Sequence, residues 1–170
     1  MHTNVVDLWR SKVLDVIAWS MLGLSSIVTI AATMEAFRKS EWAVISFGFV
    51  SLCLMLGLTL APSRFFRLKA SAIILLIYGV GFYFTYRFGS YASGPFWLFI
   101  VPMLTAMFFG TTRAIGALAV ITLTLLLFFV LLHEGTLLWH PGQVDAPSWA
   151  VIGATLVLLS ALLTISIGLL

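Results

Sequence analysis

The sequence predicts an all-α, polytopic integral membrane protein built as a bundle of six transmembrane helices. Hydrophobic residues make up 62% of the 170 residues and charged residues only 9%, and the mean hydropathy is +1.14. A soluble globule of this size leaves too much of its surface in water to hide that apolar fraction. The chain is also a succession of apolar runs near the roughly 20 residues that cross a bilayer core. Runs such as Leu118–Leu132 are apolar on all sides, whereas the strands of a transmembrane barrel alternate with period two.

The first two spans are bounded by charged residues and by proline. Arg10 and Lys12 precede an apolar run of about 20 residues, longer than the roughly 7–15 of a cleaved signal peptide. We therefore expect this run to stay in the mature protein as the first helix. Pro62 ends the second span, because proline cannot continue a helix. Within each span the backbone must be helical, since lipid offers no water to unpaired backbone groups.

The fourth of the remaining spans is the shortest, and Pro95 and Pro102 lie in or beside it. It is expected to be a short, tilted or kinked crossing, or else a re-entrant segment, which would leave five crossings. The short turn Gly110–Arg113 makes the fourth and fifth spans antiparallel neighbours. All spans belong to one predicted transmembrane domain, residues 1–170. They are Val13–Phe37, Trp42–Ala61, Ala70–Tyr86, Phe96–Phe109, Ala114–Leu132 and Ser148–Leu170.

The charged residues between the spans predict the orientation of the chain. Lys and Arg are more numerous on one side of the predicted helices, in the N-terminal tail and in the second and fourth loops. By the positive-inside rule this side is cytoplasmic, so both termini of this multi-pass protein are predicted to be cytoplasmic. This side carries Arg10, Lys12, Arg64, Arg67, Lys69 and Arg113, and the other side carries Arg38, Lys39 and Arg87.

Aromatic residues collect at the predicted outer boundary. Amphipathic rings prefer the headgroup level, so these residues are expected to anchor the helix ends there. The alternative is an aromatic rim around an outward-facing ligand pocket. The residues concerned are Trp42, Tyr86, Tyr91, Trp97, Trp139 and Trp149. Tyr83 belongs to an aromatic cluster on the third span, with Tyr78, Phe82 and Tyr86, that is expected to pack or to line such a pocket.

The longest loop, His133–Pro147, holds residue types that bind metal ions in other proteins. They are His133, Glu134, His140 and Asp145. The spacing of the two histidines is no standard helical spacing, so no metal site is predicted. An ordinary solvated loop is the first interpretation, and ligand binding or proton sensing is the alternative, since histidine titrates near neutrality. Trp139, near the middle of the loop, is expected to return to the membrane interface.

Two acidic residues lie in the first span. Glu35 precedes Arg38 and Lys39 by three and four residues, the spacing of intrahelical ion pairs. Alternatively, Glu35 faces the interior of the bundle, where a buried acid is costly and often functional. Asp15 lies near Lys12, and pairing or interfacial placement explains it. This scarcity of buried charge argues against an ion-coupled transporter or a proton pump.

The sequence carries no motif for catalysis. A P-loop, G-x-S-x-G, H-E-x-x-H and a Rossmann glycine pattern are all missing from it. This segment is therefore predicted to have no catalytic residue, no cofactor and no metal. The formal charge of +3 follows from membrane topology and predicts no nucleic-acid partner. The lipid bilayer is the predicted surrounding.

The segment Arg87–Phe129 (RFGSYASGPFWLFIVPMLTAMFFGTTRAIGALAVITLTLLLFF) is the part of the chain with a recognisable likeness. It resembles the N-terminal multi-helix membrane domain of bacterial sensor histidine kinases, particularly hybrid kinases with PAS modules. In that family the membrane domain precedes signalling helices, PAS domains and a kinase core. The resemblance implies a sensory input module and a homodimer, and it supplies no ligand residues to carry over.

The last span ends at Leu170 with no basic flank, so we expect the parent protein to continue into a cytoplasmic output domain. The predicted function is a membrane-embedded input module of a two-component signalling protein, which passes a stimulus through helix six. A vitamin-binding six-helix subunit of an energy-coupling transporter is the first alternative. A structural subunit of a membrane complex is the second. The candidate sensing residues are Glu35, Tyr83, Tyr86, Trp97, His133, Glu134, Trp139 and His140.

Overall fold

The computed structural model describes residues 5–62, 65–89, 94–135 and 146–169, and the elements in these ranges are helical, with no strand. The all-helical class is therefore confirmed. Five helices are long and apolar enough to cross a membrane, and the fourth is a shorter apolar helix of 16 residues. The cytoplasmic placement of the termini stays a prediction. The helices are α1 (Val5–Arg38), α2 (Trp42–Leu60), α3 (Phe66–Phe88), α4 (Gly94–Phe109), α5 (Thr111–His133) and α6 (Ala146–Leu169).

Large apolar side chains face outward along these helices. Leu24 in α1, Leu75 in α3 and Leu162 in α6 are each more than 60% exposed. Surfaces of this kind are not stable in water, whereas lipid solvates them at no cost. The exposure pattern therefore agrees with a membrane protein.

The chain divides into two compact units, residues 1–76 and 77–170, and α3 contributes its first turns to one and its last turns to the other. In the first unit, α1 and α2 pack against each other. Their turn is a Schellman motif, in which the amide of Glu41 donates to the carbonyl oxygen of Ala36 at 2.9 Å and Ser40 has a φ of 57°. Gly48 lets the pair approach closely, because a Cβ there would lie 3.2 Å from Cγ2 of Thr29.

In the second unit, α4, α5 and α6 pack against one another. Gly110, with a φ of 88°, is the single residue between α4 and α5, so the turn is tighter than the four residues expected from the sequence. The end of α3 meets the start of α4 at Gly81 and Gly94. A Cβ on Gly94 would collide with the backbone nitrogen and Oγ1 of Thr85, so only glycine fits there.

Candidate functional site

The most unusual polar group of the first unit is the ammonium of Lys69, near the start of α3. Its residue is only 3% exposed. Nζ lies 2.8 Å from Oδ1 of Asp15 in α1, 3.0 Å from the carbonyl oxygen of Thr59 and 3.1 Å from that of Ala61. We call this arrangement the Lys69 clamp.

All three hydrogen-bond donors of the Lys69 ammonium are paired within the Lys69 clamp. An ammonium has three N–H donors, and the three oxygens accept one each. The carbonyls of Thr59 and Ala61 lie at the C-terminal end of α2, where helix carbonyls lack an amide partner and favour a cation. The clamp therefore joins α1, the end of α2 and the start of α3. It leaves no donor of Lys69 free to bind another molecule.

The sequence interpretation of these two charged residues needs correction. It placed Lys69 in a loop, whereas α3 begins at Phe66. It explained Asp15 by pairing with Lys12 or by interfacial placement, whereas Asp15 pairs with Lys69, a residue 54 positions later. Counting charges along a sequence finds helix ends, but it gives no distance between helices. The signal that was available is the short connection between Ala61 and Phe66, which brings Lys69 back beside the end of α2.

In the second unit, four aromatic side chains form a continuous aromatic cluster of Tyr78, Phe82, Phe128 and Trp149. Adjacent ring centroids are 6.3, 5.2 and 6.2 Å apart in that order. Two hydrogen bonds fix the ends of the cluster. The hydroxyls of Tyr78 and Thr124 lie 2.9 Å apart, and Nε1 of Trp149 donates to the carbonyl oxygen of Leu125 at 3.2 Å.

Trp149 corrects a second expectation from the sequence. It was expected to anchor the outer end of the last helix at the headgroups or to belong to an aromatic rim around a pocket. It is 1% exposed and packs edge-on against Phe128, so the anchoring expectation was wrong. A buried indole needs a partner for its N–H, and the carbonyl oxygen of Leu125 provides one. Trp149 therefore holds the start of α6 against α5.

Beside the aromatic cluster, α5 and α6 enclose an apolar groove of about 460 Å³. The groove is recessed on the α6 side because small residues occupy positions 150, 153 and 154. The polar side chains of the lining are Thr122 and Trp149, and each donates its hydrogen to a helix carbonyl. The side chains that line the groove therefore offer no free hydrogen-bond donor, and the groove suits apolar groups only.

The contact between α4 and α6 contains hydroxyl groups. Oγ of Ser160 in α6 donates to the carbonyl oxygen of Phe99 in α4 at 3.3 Å. Thr164 lies four residues further along α6 and is 2% exposed, yet its Oγ1 has no hydrogen-bond partner. Pro102 interrupts α4 between Phe99 and its C-terminal turns.

The candidate sensing residues are distributed over several elements. Tyr83 lies edge-on to Phe84, and Tyr86 is exposed, both on α3. His133 ends α5 and stacks on Phe129 with the rings 10° from parallel, and the neighbouring Glu134 is exposed. Within residues 5–62, 65–89, 94–135 and 146–169, no three His, Cys, Asp or Glu side chains gather as for a metal ion.

The other members of that set are only partly described. Trp97 is half-buried in α4. Trp139 and His140 lie outside the described residues, as does the side chain of Glu35. Their roles as sensing residues stay predictions.

A comparison with known protein families matches the MASE11 family over residues 8–170. The chain belongs to the MASE11 family of membrane-associated sensor domains. The match agrees with the resemblance to N-terminal membrane sensor domains of sensor kinases. Neither the curated proteins nor the solved structures include a match to this chain.

Proposed function

We propose that this membrane sensor domain is the input module of a signalling protein and that α6 passes the stimulus to a cytoplasmic output domain beyond Leu170. The observation that carries the proposal is the family match, because residues 8–170 include all of α2 to α6 and nearly all of α1. The family match thus extends over nearly the whole described chain.

The packing of α6 supports its role as the transmitting helix. It contacts both α4 and α5, and it is the last helix of the domain. Near its start Trp149 is bonded to α5, and near its middle Ser160 is bonded to α4. A change in either neighbour therefore acts directly on α6, which a two-state signalling element requires.

Three finer parts of the proposal rest on the resemblance. The output is of the two-component histidine kinase type, the protein acts as a homodimer, and the membrane is the bacterial inner membrane. A dimer places two copies of α6 close together, so that a movement within each domain changes the spacing of the attached output domains.

The proposal is tested on the full-length protein in membrane vesicles, with output measured as histidine autophosphorylation or as nucleotide cyclisation, according to the coding sequence after codon 170. Trp149→Ala removes the contact between α5 and α6, so basal output is expected to change several-fold. Trp149→Phe keeps an aromatic ring of smaller size and loses the indole N–H, and the lost hydrogen bond alone corresponds to about fivefold in a two-state equilibrium. Trp19, an exposed tryptophan of α1, is the matched control, and Trp19→Ala should leave output unchanged.

Two results would contradict the proposal. The first is unchanged output in Trp149→Ala protein that is inserted and folded normally. The second is solute uptake by vesicles that contain the protein, which would identify a transporter subunit instead.

A further inference from the structure

The hydroxyl of Thr164 differs from those of six other threonines in the described helices. Six threonines donate to the carbonyl oxygen four residues earlier in their own helix, which is the usual arrangement for a buried hydroxyl. They are Thr59, Thr85, Thr105, Thr122, Thr124 and Thr155. Thr164 is as buried as Thr59, Thr85, Thr105 and Thr124, yet its hydroxyl lacks this bond. An unpaired buried hydroxyl is unfavourable, so an alternative position that pairs it is worth seeking.

The partner that Thr164 lacks is indicated by Ser160. The short Gly110 turn makes α4 antiparallel to α5, and α6 returns antiparallel to α5, so α4 and α6 run parallel. Four residues advance each helix by about 6 Å. Because Ser160 is level with Phe99, Thr164 is level with Met103. The carbonyl oxygen of Met103 is thus the equivalent acceptor one turn further along α4.

Pro102 makes α4 deformable between these two levels. Proline has no N–H to offer the carbonyl oxygen of Leu98, and its ring displaces that carbonyl, so helices bend at such a position. The Ser160 level lies on the N-terminal side of Pro102 and the Thr164 level on its C-terminal side. A small bend of α4 at Pro102 would therefore alter the second contact without breaking the first.

We propose that Ser160 and Thr164 form a two-state contact between α4 and α6. Ser160 stays bonded to Phe99 and acts as the pivot. The Thr164 hydroxyl is unpaired in the open state, which this structure represents, and donates to the Met103 carbonyl oxygen in the closed state. Closure tilts the C-terminal turns of α6 towards α4. The inference rests on the proposed function in one respect, namely that these turns of α6 carry the signal.

The experiment measures distances between spin labels by electron paramagnetic resonance in the full-length protein in lipid nanodiscs, with labelled chains diluted in an excess of unlabelled chains so that both labels of a pair lie in one protomer. Cys53 and any cysteine outside residues 1–170 are replaced by alanine, and labels are placed at Ile115→Cys and Ile165→Cys. Both isoleucines are exposed, and they lie at the same end of the antiparallel pair α5 and α6. The expected result is a distribution with two distances, the closed and the open state.

Variants assign the two distances to the contact. Thr164→Val keeps the shape of the side chain and removes the hydroxyl, so the ratio of closed to open should fall about fivefold, the effect of one ordinary hydrogen bond. Thr164→Ser keeps the hydroxyl and should preserve both distances. Ser166→Ala is the matched control, because Ser166 is exposed and bonded within α6 to Leu162.

The outcomes separate this inference from the proposed function. A single distance in every protein, or the same ratio in Thr164→Val as in the unmodified chain, overturns the two-state contact. If the ratio changes while the output of the full-length protein does not, the contact stands and the proposed role of α6 fails. If Trp149 variants change output while the label distances never change, the proposed function stands and the two-state contact fails.

Discussion

The Lys69 clamp gives the sharpest prediction about stability. Lys69→Met keeps the length of the side chain and removes its charge and its three donors. The carbonyl oxygens of Thr59 and Ala61 and the carboxylate of Asp15 then lose their partner. Removing one member of a buried ion pair costs about 3–5 kcal/mol. Because the Asp15 side chain is 40% exposed, solvent screens its share, and we expect the lower end, about 3 kcal/mol.

A double-mutant cycle isolates the ion pair from the two carbonyl bonds. Asp15→Asn should cost about 1 kcal/mol, because Lys69 keeps both carbonyl partners and the amide oxygen can still accept. In the double variant Asp15→Asn/Lys69→Met no unpaired charge remains. Its loss of unfolding free energy should therefore be smaller than the sum of the two single losses by about 1–2 kcal/mol. The assay is reversible unfolding in mixed micelles by increasing detergent denaturant, followed by tryptophan fluorescence.

Lys12 is the matched control, because it is the lysine that sequence spacing assigns to Asp15. It is exposed in α1. Lys12→Met should change the free energy of unfolding by less than about 0.5 kcal/mol and show no coupling to Asp15→Asn. The reasoning is refuted if Asp15 couples to Lys12 rather than Lys69, or if Lys69→Met is as mild as Lys12→Met.

Three further stability predictions use the same unfolding assay. Gly94→Ala should destabilise the chain by about 1–3 kcal/mol, because the added Cβ meets backbone that cannot move aside. The control is Gly116→Ala, where the space is open, and it should be neutral or stabilising by less than about 1 kcal/mol. Tyr78→Phe should cost about 1 kcal/mol through the lost bond to Thr124, and a cost of Tyr78→Phe/Thr124→Val equal to the sum of the two single costs would show that the bond contributes nothing. Trp149→Ala should cost about 3–5 kcal/mol, as a fully buried aromatic does, and a loss below about 1 kcal/mol would contradict its burial.

The sequence predicts the helices well because the solvent determines them. A lipid environment requires long apolar helices, and proline, glycine and charge mark their ends, so α2 was expected at Trp42–Ala61 and is observed at Trp42–Leu60. The family likeness was also recognisable, from Gly, Pro, Trp and Arg positions around α4 and α5, and the MASE11 match confirms it.

The contacts between helices were not predictable in the same way. The apolar periodicity that identifies a packing face in a soluble helix is missing when lipid and protein interior are equally apolar. Trp149 illustrates the problem, since a tryptophan at a helix start is equally compatible with the headgroup region and with a buried position. Lys69 illustrates it too, because its partners are remote in sequence and two of them are backbone carbonyls, which no side-chain pattern reveals.

Hydrogen-bond saturation distinguishes the parts of this domain that are fixed from the part that can move. In lipid no water replaces a lost partner, so a contact whose donors and acceptors are all paired resists displacement. The Lys69 clamp is of this kind, with three donors matched to three acceptors. The contact between α4 and α6 is not fully paired, because Oγ1 of Thr164 has no hydrogen-bond partner. Pro102 also allows α4 to bend. If the two-state contact proposed for Ser160 and Thr164 holds, movement within the second unit is therefore expected at the contact between α4 and α6.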